Sequence, residues 1–197
     1  MMLRLLLIFL GGLALGVEAG TPFFDQVRSD EYSPRRDMLV QHYFERGGTD
    51  QIWLVSTADP GKRRLLFTHR RHAEVIFAPD EEWLVINDHC LSNESRLLLY
   101  RHKTELEYEQ VADLTEEAWR FFDRQQGRTK PNPFDHAYVE ALHWADDDPP
   151  TLLLSLDGHA DSRNYVSDWY CLYDVRARSF SVDFAGHNRQ AVKLEPE

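Results

Sequence analysis

Short apolar runs separated by polar turn clusters recur along most of this chain. The runs QIWLVST at 51–57, WLVINDH at 83–89 and TLLLSLD at 151–157 have strand length and are rich in Leu, Val, Ile and Trp. Turn clusters such as DPGK at 59–62 interrupt them, at intervals of about eight to twelve residues that are typical of all-β proteins. The pattern therefore predicts a sheet-rich fold with strands over most of the chain.

One turn segment of this pattern, called a corner below, occurs twice in the sequence. YSPRRDMLV at 32–40 and FAPDEEWLV at 77–85 both place an aromatic, a small residue and Pro before a charged turn and an apolar run, 45 residues apart. The same offset aligns 51–57 with RLLLYRH at 96–102, and a looser third copy covers 142–157. Each unit predicts four strands, and a four-stranded unit of about 40–45 residues is the period of a β-propeller blade. The corner aromatic is expected to pack between neighbouring blades.

The repeated corner resembles the WD40-like repeats of exported bacterial proteins of the TolB type, whose blades carry an aromatic-Ser-Pro-Asp-Gly turn before an apolar strand. Tyr32-Ser33-Pro34 and Phe77-Ala78-Pro79-Asp80 carry the resemblance, with Trp144-Ala145-Asp146 weaker, over roughly residues 23–184, and none of the three corners has the Gly. The resemblance implies an all-β fold of three four-stranded propeller-like blades, a partial β-propeller. The expected blades lie at about 23–70, 74–114 and 137–184 of a single domain at 20–197.

One stretch between the second and third units has a helical period. Asp113 and Glu116 mark a helix start, apolar residues at 118, 121 and 122 share one face, and Gly127 supplies a stop. The sequence therefore predicts one short helical insertion at 115–127. Its role stays open between a helix that closes the core and a lid or docking element over one mouth of the propeller.

The first 19 residues have the pattern of a secretory signal peptide. Arg4 precedes an apolar run at 5–17, and VEA at 17–19 offers a cleavage site before Gly20. The apolar run is too short to span a bilayer. We therefore expect a soluble mature chain that is secreted or periplasmic, with no membrane association after cleavage.

The net charge limits the classes of partner, and the cysteine content bears on whether a disulfide forms. The net charge of −11 argues against nucleic acid, because phosphates require a basic face. Cys90 and Cys171 are the two cysteines, and an isolated pair in an oxidising compartment favours a disulfide over two free thiols. That disulfide is expected to tie a long rim loop at 158–168 to the middle unit.

Imidazoles and carboxylates collect on the turns that face one rim of the predicted blades. The candidate binding residues there are His42, Asp88, His89, His136, Asp157, His159, Asp161 and Arg163. Such side chains bind divalent metals or perform acid–base chemistry, yet HExxH, calcium-loop and nucleophile motifs are absent from the sequence. No catalytic residue, metal or cofactor is therefore predicted.

Two functions remain open at this level. The first is an exported, soluble binding or scaffold module whose ligand is a protein, a small molecule or a saccharide. The alternative is a hydrolase or lyase that uses the rim rich in His and Asp. Three blades leave strand edges and apolar faces uncovered, so either the terminal segments cover them or a homodimer closes the ring.

Overall fold

The computed structural model describes residues 26–44, 48–131, 134–145 and 150–195. The predicted signal peptide and Gly20 lie outside these ranges. In chain order the elements are β1 (Gln26–Tyr32), β2 (Met38–Phe44), β3 (Asp50–Ser56), β4 (Arg63–His69), β5 (His72–Phe77), β6 (Trp83–His89), β7 (Arg96–Thr104), β8 (Glu107–Asp113), α1 (Thr115–Gln125), β9 (His136–Ala145), β10 (Thr151–Asp161), β11 (Asn164–Asp174), β12 (Ser179–Ser181), α2 (Ala185–Ala191) and β13 (Val192–Lys193).

The strands form three antiparallel sheets in which neighbours in sequence are neighbours in space. The first sheet has the order β1-β2-β3-β4, the second β5-β6-β7-β8 and the third β9-β10-β11-β12, with β13 also paired to β11. Each sheet is therefore built from one contiguous stretch of chain. The predicted β-rich fold is confirmed, as three antiparallel sheets of four, four and five strands, whereas α2 was not predicted.

The two copied corners share one backbone conformation. The N–H groups of Ser33 and Ala78 each donate to the carbonyl five residues later, at 3.0 and 2.9 Å. The carbonyl groups of Ser33 and Ala78 accept hydrogen bonds from the N–H groups of Arg36 and Glu81, both at 2.9 Å. Arg36 and Glu81 have positive φ angles of 63° and 57°. Both corners therefore adopt a left-handed turn without Gly, the residue that adopts it most easily. The third corner, at 146–149, lies outside the described residues.

The corner aromatics differ in burial. Trp144 is buried, and its indole N–H donates to the Ile76 carbonyl of the second sheet at 3.1 Å. Phe77 is half-buried, with its ring 6.0 Å from Tyr108 of its own sheet. Tyr32 is 54% exposed, so the expectation that each corner aromatic packs between sheets is wrong at this corner. The reason is topological: in the described part of the chain no sheet precedes the first one.

The second sheet is buried on both faces. Leu84 and Ile86 of β6 face the first core, between the first and second sheets, whereas Val85 faces the second core, between the second and third sheets. The first six residues of β6 are all buried. Because successive side chains of a strand point to opposite faces, this continuous apolar run requires a neighbour on each side.

Helix α1 begins at the predicted residue, Thr115, and ends at Gln125, two residues before the predicted end, with Leu114 and not Asp113 at the N-cap position. The Asp113 carboxylate accepts hydrogen bonds from the backbone N–H and the hydroxyl of Thr115 at 3.0 and 2.6 Å. At the other end Gly127 has φ of 67°, and the Arg128 N–H donates to the Asp123 carbonyl at 2.9 Å. This last bond satisfies a helix-terminal carbonyl that would otherwise lack a partner.

The apolar face of α1 fills the second core. Ala118 and Phe122 are fully buried, and Trp119 and Phe121 are 7% exposed. The Phe122 ring packs edge-on against Trp169 of β11 at 5.1 Å. Of the two roles open for the insertion, the helix therefore has the one that closes the core.

The predicted rim loop at 158–168 is wrong. Strand β10 continues to Asp161 and β11 begins at Asn164, with Gly158 opposite Val166 and His159 opposite Tyr165. The polar residues that suggested a loop lie on a hairpin that extends beyond the core, where the side chains are solvated while the backbone ladder continues. Strand β13 pairs with this extension at 165–166.

The predicted disulfide between Cys90 and Cys171 is not supported, because both residues are free thiols. Cys171 lies opposite Leu154 in the ladder and is fully buried in the second core. Burial raises the pKa of its thiol to about 12. Cys90 lies just past β6, where its sulfur is 3.7 Å from the Glu94 carbonyl oxygen. One cysteine therefore belongs to the core and the other to the rim.

Candidate binding rim and cleft

Six histidines form three ring pairs, one in each sheet, at the rim where β2, β4, β6 and β10 end. In the first sheet the His42 and His69 rings meet edge to face at 6.4 Å. In the second sheet His72 and His89 stack at 5.3 Å, and in the third His136 and His159 stack at 4.4 Å with their planes 7° apart. The last two pairs are direct cross-strand partners of the first and second strands of their sheets. The sequence placed four of these residues on one rim, but their pairing follows from strand register.

Two carboxylates at this rim contact a neighbouring basic side chain. Asp88 is buried, and its Oδ2 accepts from Nε and Nη2 of Arg96 at 3.1 and 2.5 Å. His89 Nδ1 lies 3.6 Å from Oε1 of Glu140, which belongs to β9 of the third sheet. Asp88 therefore serves an ion pair within the second sheet, whereas His89 links the second sheet to the third.

The remaining predicted rim residues stabilise the β10–β11 hairpin. Asp157 accepts hydrogen bonds from the Asp168 N–H at 2.9 Å and the Ser155 hydroxyl at 3.2 Å. Asp161 accepts from the N–H groups of Arg163 and Asn164 across the turn.

Those bonds, the one from Arg163 first, hold the pKa of Asp161 below its usual range. Arg163 pairs with Glu195 at 2.9 Å. The structure does not bring these three residues of the hairpin to a common site.

A cleft that the sequence did not indicate opens beside α1 on the same rim. Its volume is about 840 Å³. It is lined by Asn93, Glu94, Arg96, Asp113, Thr115, Glu116, Trp119, Arg120, Asp123, Arg124, Arg128, Thr129, Lys130, Pro131, Phe134, Asp135 and Ala137. Its walls come from the β6–β7 turn, the first turn of α1 and the connector that follows the helix, so only the folded chain assembles it.

Many of the charged groups in the cleft already have partners. Arg96 binds Asp88, and Arg120 binds Glu116 at 2.5 Å. The Arg128 guanidinium lies 3.7 Å from the Asp123 carboxylate, and both side chains are largely buried. These pairs make both sides of the cleft polar.

The charges in the lining are unevenly distributed. Glu94, Asp113 and Asp135 lie on the side formed by the strand ends, whereas Arg124 and Lys130 lie on the side formed by the helix and the connector. The strand side is therefore richer in acidic groups and the helix side richer in basic groups.

Aromatic side chains lie between the two sides. Trp119 and Phe134 line the cleft with their ring centroids 5.5 Å apart. The Trp119 indole N–H is buried and has no hydrogen-bond partner among the described residues. Phe134 lies directly on Gly158, where an added Cβ would come within 2.6 Å of the ring. Only glycine at 158 therefore lets the connector lie against the third sheet in this position.

Four structural hydrogen bonds join the cleft region of the second sheet to β9. The Asn87 side chain donates to the Ala141 carbonyl and accepts from its N–H, both at 2.9 Å. The Ser95 hydroxyl does the same for Val139, also at 2.9 Å in each direction. One edge of β9 pairs with β10, and its other edge is thus held by side chains of the second sheet.

The described residues contain no group of three or more His, Cys, Asp or Glu side chains arranged to hold a metal ion. Neither helix within those ranges has the length and apolar character needed to cross a lipid bilayer. No protein-family model, curated protein or solved structure matches the chain. The resemblance to exported WD40-like repeat proteins therefore stays a prediction.

Proposed function

We propose that this protein is an exported, propeller-like binding module and that its ligand site is the cleft beside α1. One observation carries the proposal: the cleft is richer in acidic groups on its strand side, richer in basic groups on its helix side, and lined by two aromatic side chains. Concave sites with aromatic surface and a few oriented polar groups are the usual form of small-ligand sites. The ligand that fits is a small zwitterion or the charged end of a short peptide, with its cation on the strand side and its anion near the connector.

The propeller-like part of the proposal is supported by the stacking of the sheets. Three four-stranded meanders lie in sequence, and the middle one is covered on both faces. Radial stacking of such meanders is how propeller blades protect their faces and edges. The signal-peptide pattern at 1–19 supports export to the periplasm or the medium.

Binding is tested with zwitterionic tripeptides and with the same peptides acetylated and amidated, using chemical-shift perturbation and thermal shift. We expect the free peptides to bind and the capped peptides to bind at least tenfold more weakly. Glu94→Gln and Lys130→Gln should each weaken binding of the free peptide. Glu109→Gln is the matched control, because Glu109 lies on β8 outside the cleft and pairs with Lys103.

A second variant probes the cleft without changing its charges. Gly158→Ala pushes against Phe134 and should weaken binding by displacing the connector. Equal binding of free and capped peptides, or no response to Glu94→Gln and Lys130→Gln, would remove the cleft as the ligand site.

Signal-peptide cleavage and dimerisation are tested by two separate measurements. An intact mass that begins at Gly20 supports export, and retention of residues 1–19 in the soluble product contradicts it. Sedimentation equilibrium decides between a monomer and the homodimer that would cover the outer faces of the first and third sheets. A monomer at all concentrations would exclude closure by a second copy.

A further inference from the structure

His69 is a buried histidine whose imidazole is not hydrogen-bonded. It is 5% exposed, and neither ring nitrogen has a partner among the described residues. A buried polar group without a partner costs free energy in the folded state. A buried imidazole without a hydrogen bond therefore requires a physical explanation.

The surroundings of His69 favour the neutral ring. Phe67 lies parallel to it at 6.4 Å, and the His42 ring meets it edge-on at the same distance. Burial lowers the pKa of His69 below 6.5; Asp50 opposes this effect, His42 adds to it, Asp88 opposes it and His72 adds to it.

The two carboxylates near His69 are not placed to bind its proton. Asp50 lies opposite His69 in the β3–β4 ladder, and neither of its oxygens bonds the ring. Asp88, from β6 of the second sheet, is held by the Arg96 guanidinium from β7. A proton on His69 therefore adds a buried charge that no neighbour neutralises by direct contact.

His69 occupies the crossing between the first and second sheets. It is the last residue of β4, and residues 70–71 connect it to His72, the first residue of β5. A charge placed here must be hydrated, and water can reach it only if the two sheets separate at this rim.

We propose that the His69 junction is an acid-sensitive latch, at which protonation releases the first sheet from the second. The opened state takes up a proton near pH 6.5, the ordinary value for histidine, whereas the closed state takes it up only at a lower pH. Between these two values the opened state binds more protons, so stability of the closed junction falls as pH falls. The closing equilibrium constant changes by up to about tenfold per pH unit in that window.

The third sheet has no equivalent latch. It is joined to the second by the side-chain bonds of Asn87 and Ser95 to β9 and by the buried face of α1. Its histidine pair, His136 and His159, lies outside the buried core on partly exposed strand ends. Acidification should therefore separate the first sheet while the second and third remain together.

The test is hydrogen exchange by mass spectrometry on the full chain, at pH 7.5 and pH 5.5, with each variant compared with the parent at the same pH. We expect peptides of β2–β4 to exchange faster at pH 5.5, after correction for the intrinsic rate, and peptides of β9–β11 to be unchanged. His69→Phe, which replaces the imidazole with an apolar ring, should abolish the acid response. His143→Gln is the matched control, because His143 is exposed on β9, and it should leave the response intact.

A second measurement keeps the proposal testable if His69→Phe does not fold. His69→Leu serves as the alternative variant, and an NMR titration of the His69 ring in the parent should give a midpoint below 6.5. An acid response that persists in a folded His69 variant, a uniform response of all three sheets, or a His69 midpoint at or above 6.5 would each overturn the latch.

Discussion

The two cores of this protein are built differently, although the sheets that form them follow one pattern. Among the described residues the first core contains eleven buried residues, mostly Leu, Ile, Val and Tyr, and no helix. The second core contains twenty-two, including Trp83, Trp119, Trp144 and Trp169. Buried apolar area is the main source of stability, so the second and third sheets should form the more stable half of the molecule.

The difference extends to the polar groups at each junction. At the second core, Asn87 and Ser95 bond both the N–H and the carbonyl of buried β9 residues. At the first, the buried His69 ring has no hydrogen-bond partner among the described residues. A repeated strand pattern thus specifies the sheets, while the inserted helix and a few polar side chains determine how firmly neighbouring sheets adhere.

The largest predicted difference concerns thiol reactivity. Cys171 lies fully buried in the second core with a pKa raised to about 12. Partial burial also raises the pKa of Cys90, but this thiol is partly exposed at the rim. Since the thiolate is the reactive form, a thiol reagent should label Cys90 in the folded protein and Cys171 only after unfolding. Counting labelled thiols by mass with and without denaturant checks this. Labelling of both sites at equal rates would show that the second core opens readily. If neither cysteine is labelled after unfolding, the two cysteines form the predicted disulfide.

Truncating one aromatic residue in each core compares their packing directly. Phe122 is fully buried between Trp119 and Trp169, and Phe122→Ala should destabilise by roughly 3–5 kcal/mol. Phe77 is half-buried beside Tyr108, and Phe77→Ala should cost roughly 1–2 kcal/mol. Urea unfolding of both variants gives the two values. A larger loss for Phe77→Ala would reverse the ranking of the cores.

Removing one amide tests the polar contribution at the second junction. Asn87→Ala leaves the buried N–H and carbonyl of Ala141 without partners, which should cost roughly 2–4 kcal/mol. Asn93→Ala is the control, because Asn93 makes one exposed bond to the Asp135 carbonyl and should cost less than about 1 kcal/mol. Similar losses in the two variants would mean that β9 does not depend on Asn87.

The smallest predicted effect separates the two copied corners. Arg36 adopts a left-handed φ with an exposed side chain, so Arg36→Gly should stabilise by about 0.5–1 kcal/mol. Glu81 has the same φ, but its carboxylate accepts the Arg35 N–H at 2.6 Å. Glu81→Gly should therefore destabilise, because the lost bond to a charged group outweighs the relieved strain. Thermal unfolding gives both signs, and a loss on Arg36→Gly would indicate that its side chain contributes to the corner.

Features with local sequence signals were predictable. The strand runs, the two corners and both ends of α1 depend on residues close in sequence, such as Asp113, Thr115 and Gly127, and the structure has each near where the pattern indicates. The hairpin at 158–168 was missed because its polar residues are typical of a loop. Its strands are held together by backbone hydrogen bonds, which the side-chain pattern does not indicate.

Features that depend on which strands face each other were not predictable. The histidine pairs follow from register, and the cleft joins Glu94, Asp113 and Asp135, which are distant in sequence. The disulfide expectation used only the number of cysteines and the compartment, and it took no account of the face of β11 on which Cys171 lies. The exposure of Tyr32 likewise depends on the absence of a preceding sheet among the described residues.

The sequential order of strands within each sheet has a consequence for synthesis. Whether the chain emerges from a ribosome or from a translocation pore, the first two sheets and α1 come out before the third sheet. About fifty residues separate the end of α1 from the end of β11, which corresponds to roughly 3–10 s at ordinary elongation rates. During that interval Trp119, Phe121 and Phe122 have no third sheet to cover them. Aggregation is therefore most favoured at this stage of synthesis, because these aromatic side chains are exposed. A chaperone that binds apolar surface would act at the same stage.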